Sequence, residues 1–112
     1  MPRAPRIIRE LVNSMTTITV KFFAALREIS GKKEVKLRLK KEEGTVQGVL
    51  DELSNRYGEN FKEYVFDPRN PGSLRSQISI MVNGQSIRDL EDLKTRIKDG
   101  DVIAMLPPVS GG

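Results

Sequence analysis

The last six residues, Pro107-Pro108-Val109-Ser110-Gly111-Gly112, are the part of the sequence whose types and order suit chemistry. Pro107-Pro108 stiffens the stem in an extended conformation. Ser110, Gly111 and Gly112 add almost no width, and glycine accepts backbone angles that other residues resist. A narrow end on a stiff stem suits threading a terminal carboxylate into a partner's active site. A Cβ at either of the last two positions would clash in a channel shaped for backbone alone. The alternative is a frayed end or a linker. Gly-Gly at a chain end arises by chance only about 0.5% of the time at average usage near 7% per position. Two prolines just upstream make a functional tail the better reading.

Other chemistry is largely excluded by composition. The 112 residues include no Cys, no His and no Trp. A chain without Cys or His cannot build the usual zinc site, so no metal site is expected. It cannot supply a Cys nucleophile or a Ser–His pair, and it lacks an imidazole acid or base near neutral pH. Its carboxylates and lysines fall in no recognisable catalytic motif. The chain is expected not to be catalytic alone: chemistry would be done to it, as substrate or carrier. The net charge is +4, but 15 acidic residues are interspersed among 19 basic ones, with only two Tyr and four Phe for stacking. That pattern reads as a solvated mixed surface, not a nucleic-acid footprint. No apolar run reaches transmembrane length, and "MPRAPRIIRELVNSM" lacks the apolar stretch and cleavage site of a signal peptide. No nucleic-acid or membrane partner is expected, and the expected location is the cytoplasm.

The tail needs a body to aim it. In "TTITVKFF" (16–23), Ile18, Val20 and Phe22 alternate with Thr17, Thr19 and Lys21, the period of a half-buried strand. "AALREISGKK" reads as a turn region broken at Gly31. "EVKLRLK" (34–40) alternates again, so the two strands form a hairpin. The period then changes: Val46, Val49, Leu50, Leu53 and Tyr57 recur at helical spacing over 45–58, with Thr45 as N-cap and Gly58 as stop. Gly48 inside this helix suggests close packing. Residues 60–66 allow a further helical turn, and 67–77, with two prolines and a glycine, form a loop. "ISIMVNGQSI" (78–87) is strand, Asn83-Gly84 turn, strand. A short turn surrounds Leu90 and Leu93, Lys98-Asp99-Gly100 turns tightly, and "DVIAML" (101–106) is the last strand, ended by Pro107. The order predicts an α+β fold: a mixed sheet of about five strands packed on one main helix, with first and last strands parallel at its centre. This is the β-grasp, or ubiquitin-like, arrangement; an open α+β sandwich with another strand order is the alternative.

Three units follow: an extension over 1–14, a domain over 15–106 and the tail over 107–112. In the extension Ile7, Ile8, Leu11 and Val12 fall on one side of a possible helical turn or two. It reads either as an amphipathic arm or as translation begun upstream of a start at Met15, and the second is favoured. Strand parity turns Phe23 away from Phe22, and Ala104 and Leu106 away from Ile103 and Met105; Met81 joins the first set. An apolar patch of Phe23, Met81, Ala104 and Leu106 on the open sheet face is the expected partner interface, continued by Pro107, Pro108, Val109 and Ser110.

"VKFFAALREISGK" (20–32), "VNGQ" (82–85) and "KDGDVIAMLPPVSGG" (98–112) closely resemble the molybdopterin synthase small-subunit family of ubiquitin-like sulfur carriers, whose relatives include small archaeal modifier proteins. The resemblance runs from about Thr17 to Gly112; residues 1–14 match nothing in it, and loop 67–77 looks like the archaeal branch. It implies that an ATP-dependent activating enzyme adenylates the Gly112 carboxylate, with Gly111 needed beside it. A sulfur donor then converts the adenylate to a thiocarboxylate. The synthase large subunit takes that sulfur for the molybdenum or tungsten cofactor. ATP is used by the activating enzyme, and no cofactor is bound by the carrier. The same activated end could instead form an isopeptide bond to target lysines, and the apolar face could support self-association when the large subunit is absent.

Overall fold

The computed structural model describes residues 14–106. The tail, Pro107 to Gly112, and residues 1–13 lie outside them. The first strand, β1 (Met15–Phe22), buries Thr16, Ile18, Val20 and Phe22 on one face. It pairs antiparallel with β2 (Glu34–Lys40), Ile18 opposite Leu37 and Val20 opposite Val35. Between them the structure corrects the sequence reading. Ala25–Ser30 is a short helix, α1, closed by Gly31 in the left-handed region at φ 74°. Six residues are too few to display a helical period. Leu26 is nevertheless fully buried, and Ile29 packs against the core, so the segment is helical for packing reasons.

The main helix, α2 (Val46–Tyr57), buries Val46, Val49, Leu50 and Leu53. The Thr45 hydroxyl caps it by accepting from the Gly48 N–H at 3.1 Å. Gly48 is required by space: a Cβ there would lie 2.0 Å from the Glu43 carbonyl oxygen. A second short helix, α3 (Glu59–Val65), adds Phe61 and Val65 to the core. Among the described residues the helical layer has one long helix and two short ones; α3 falls where the sequence allows a further helical turn over 60–66, and α1 falls where the sequence reads as a turn region.

After the 67–77 loop come β3 (Ser79–Val82) and β4 (Gln85–Ser86). Asn83 and Gly84 join them with φ of 51° and 83°, the two positive angles that an Asn-Gly hairpin turn uses. Two 3-10 turns follow before β5 (Val102–Leu106). The sheet order is β2-β1-β5-β3-β4. β1 and β5 run parallel at the centre, and the other pairs are antiparallel. The fold is a β-grasp. Phe22, Phe61, Leu26, Leu50, Leu53, Ile80, Ile103 and Met105 are all fully buried between sheet and helices, and the Phe22 and Tyr57 rings meet edge to face at 5.8 Å.

Candidate docking face and the root of the tail

β5 presents two faces. Ile103 and Met105 point into the core, whereas Val102, Ala104 and Leu106 are half-buried on the opposite side. On that outer side Ala104 pairs with Met81 of β3 and with Lys21 of β1, and Leu106 pairs with Ser79. Phe22 is opposite Met105, so Phe23, one residue on, comes to the Leu106 end of the sheet. Phe23, Met81, Ala104 and Leu106, singled out by parity, thus share the outer face near the end of β5. Val102 belongs with them; its parity with Ala104 and Leu106 was the available signal. Gly111, Gly112 and residues 107–110 continue the chain from this point and lie outside the described residues.

Phe23 is fixed by its surroundings. Leu26 N–H donates to the Phe23 carbonyl at 3.2 Å. Ala24 between them sits at φ 50°, ψ −126°, the first central position of a type II′ turn, which glycine usually fills. The Arg27 guanidinium lies 5.3 Å over the Phe23 ring, and its Nε donates to the Phe22 carbonyl at 2.9 Å. Arg27 thus ties helix α1 to the strand end and holds the ring in place.

The other end of β5 is held by a hydrogen-bonded clamp. Asp101 accepts from the Asn83 side-chain amide at 2.9 Å and from the Lys98 N–H at 2.7 Å. The Asn83 amide oxygen accepts from the Val102 N–H at 2.9 Å. Asp99 accepts from the Thr17 N–H at 2.8 Å, and Gly100 N–H donates to the Thr17 carbonyl at 2.8 Å. These bonds tie β5 at once to β1 and to the β3–β4 turn. Asn83, Asp99 and Asp101 position the strand that leads to the tail. The sequence marks Asn83 and Asp99 only as turn residues and Asp101 only as the first residue of the last strand, because their partners lie in distant segments.

Across the sheet the outer face changes character. Lys36, Arg38 and Lys40 on edge strand β2 are exposed, and their neighbours on β1 are Thr19, Thr17 and Met15. By register this basic edge lies toward the start of β5: Thr19, opposite Lys36, is beside Val102, and Arg38 and Lys40 lie farther still from Leu106. Among the described residues no group of carboxylates is arranged to hold a metal, and no helix is long and apolar enough to cross a membrane.

The model of the ThiS family matches residues 20–112, which include the whole docking face and the Gly-Gly end. The chain belongs to the ThiS family. Among solved structures, small archaeal modifier protein 1 of Methanosarcina acetivorans is 39% identical with a TM-score of 0.71, over 88% of this chain and 98% of that one. A protein of Pyrococcus furiosus assigned as molybdopterin converting factor, subunit 1, is 30% identical with a TM-score of 0.63, over 84% of this chain and 99% of that one. The sulfur carrier protein CysO of Mycobacterium tuberculosis is 37% identical over 68 residues, 61% of this chain and 72% of the relative. The ThiS-family chain is therefore similar both to sulfur carriers and to protein modifiers that share the β-grasp body.

Proposed function

We propose that this chain carries sulfur on its C-terminal Gly112 and serves as the small subunit of a molybdopterin synthase. The observation that carries the reading is the position of the apolar outer face: Phe23, Met81, Ala104 and Leu106 meet at the end of β5, where the chain continues toward Gly111-Gly112. A partner seated on that face is beside the root of the tail. The likeness to the Pyrococcus protein supports the molybdopterin assignment.

The chemistry follows from the carboxylate. It is anionic and resonance-stabilised, so it must first be activated. An ATP-dependent enzyme joins the Gly112 carboxylate oxygen to the α-phosphorus of ATP, and pyrophosphate leaves. Hydrosulfide from a sulfur donor then attacks the acyl carbon of the adenylate. A C–S bond forms, the C–O bond to AMP breaks, and the product is a thiocarboxylate with no net redox change. In the large subunit the thiocarboxylate sulfur bonds to an oxygen-bearing acceptor carbon, and the carbon–oxygen bond there breaks, its oxygen taking up a proton and leaving as water. Water then hydrolyses the resulting acyl–sulfur bond, leaving sulfur on the acceptor and restoring the carboxylate. This chain contributes the electrophilic carbon and the docking surface, and its partners contribute the catalytic side chains.

The likeness to a small archaeal modifier protein favours a second use of the same adenylate. There a lysine amine would attack in place of hydrosulfide and form an isopeptide bond through Gly112. Intact mass after incubation with ATP, a candidate activating enzyme and sulfide separates the two. Replacement of one oxygen by sulfur, absent from a chain lacking Gly111-Gly112, supports the carrier. Covalent adducts on other proteins without a thiocarboxylate support the modifier. An unchanged mass with an activating enzyme that thiocarboxylates a related carrier in the same assay overturns both.

A further inference from the structure

The helical side of the molecule, away from the docking face, carries a groove of about 520 Å³ between α2, α3 and the 67–72 loop. Its walls include Ser54, Phe66 and Pro68, with the carboxylates of Asp51, Glu63 and Asp67 against one ammonium, Lys62. Two features mark it as a built site. The loop wall is preformed: Asp67 N–H donates to the Ser73 carbonyl at 2.8 Å, and Asp67 accepts from the Arg69 N–H at 2.9 Å. Ser54, only 7% exposed, has a hydroxyl with no hydrogen-bond partner. A mid-helix serine ordinarily satisfies itself by bonding the carbonyl one turn back or by reaching solvent. A buried hydroxyl left unpaired costs about 1–3 kcal/mol.

We propose that the occupant is the chain's own N-terminal segment, residues 3–12. Its sequence complements the groove: Arg3, Arg6 and Arg9 stand against Glu10 alone, and Ile7, Ile8, Leu11 and Val12 supply aliphatic surface. The point of attachment is also suitable. The Ser14 carbonyl accepts from the Lys41 N–H at 2.8 Å, and Lys41 lies just ahead of the Thr45 cap from which α2 starts. Gln47 and Asp51, on the first turns of that helix, form the near end of the groove. From there to Asn55 the helix rises only about 12 Å, at 1.5 Å per residue. A dozen residues span about 18 Å as helix and about 40 Å extended, so reach is ample in either form. Tethering gives the segment an effective concentration in the millimolar range, so a contact of modest intrinsic affinity fills the groove. Of the two sequence readings of residues 1–14, this one makes them an arm with a seat on the body. The inference is independent of the proposed sulfur chemistry.

The absence of cysteine from the chain provides a direct test. A Pro5→Cys variant of the full 112-residue chain carries a nitroxide label at a single site. The expected result is loss of amide NMR signal at Asp51, Asn55 and Phe66, with signals at Lys36 and Met81 retained. Adding Asp51→Lys and Glu63→Lys to the labelled chain should restore the lost signals, and raising the salt concentration should restore them in part without any further substitution. Uniform broadening, broadening centred on the outer sheet face, or groove broadening insensitive to both treatments would overturn the proposal. So would signal loss in unlabelled chains mixed with labelled ones, which would make a second copy the occupant.

Discussion

The two faces of β5 differ in what they are free to do. Ile103 and Met105 are at most 1% exposed and touch only the core. Their neighbours Val102, Ala104 and Leu106 are just as apolar but stand half-buried on the other side. A strand at the centre of a sheet, with helices covering one side only, makes this division unavoidable, because successive side chains alternate. The inner set specifies the fold. The outer set contributes less to folding and remains available for a partner, next to the residue where the tail begins. Carrier and modifier readings share this face and diverge only in what attacks the activated glycine.

A pair of adjacent substitutions tests the division most strongly. Met105→Ala removes a fully buried side chain and should lower unfolding free energy by about 2–5 kcal/mol, read as a large drop in the denaturation midpoint. Leu106→Asp, one residue on, should lower stability by no more than about 1 kcal/mol, the span of strand propensities. The same change should weaken large-subunit or activating-enzyme binding by tenfold or more, since about 1.4 kcal/mol accounts for each factor of ten. Calorimetric titration beside a denaturation curve reads both quantities. If a charge at position 106 leaves binding unchanged, the outer face is not the interface.

The start of β5 gives a smaller effect with a distinct signature. Asn83→Ala and Asp101→Ala each remove bonds from the clamp and should each cost about 1 kcal/mol. Because the side chains bond each other, the double variant should cost less than the sum, with a coupling of at least about 0.5 kcal/mol. Additive losses in chemical denaturation would show that each residue acts alone and that the strand is held by other contacts.

Much of this architecture was legible because the alternation is clean. Ile18, Val20 and Phe22, then Val35, Leu37 and Leu39, display period two without interruption, and parity alone placed Phe23, Met81, Ala104 and Leu106 on one face. Thr45 and Gly58 framed α2 for reasons local to the chain. Helix α1 was not legible: six residues show no period, and what makes them helical is the burial of Leu26 by segments far away in sequence. The clamp escaped for a related reason. Asp101 and Asn83 are 18 residues apart, and each has a sufficient local explanation, Asn83 as a turn residue and Asp101 as the start of a strand. The groove escaped because Ser54 looks like any polar residue on a helix until its surroundings are known.

The smallest expected effect sharpens the contrast between folding and docking at the corner beside Leu106. Ala24 is exposed yet holds φ 50°, a conformation that costs a residue with a Cβ on the order of 1 kcal/mol. Ala24→Gly removes that strain but adds unfolded-chain entropy worth about 0.4–1 kcal/mol, so the net change in stability should be a gain of a few tenths. Docking should move the other way. Glycine also permits other corner geometries, and the Phe23 ring, held at present by the turn and by Arg27, would lose part of its preorganisation. Partner affinity should fall by a small factor while the denaturation midpoint rises slightly. Opposite signs from one methyl group would identify the strained corner as a device for presenting Phe23. Changes of the same sign would make it a detail of the chain's route from β1 into α1.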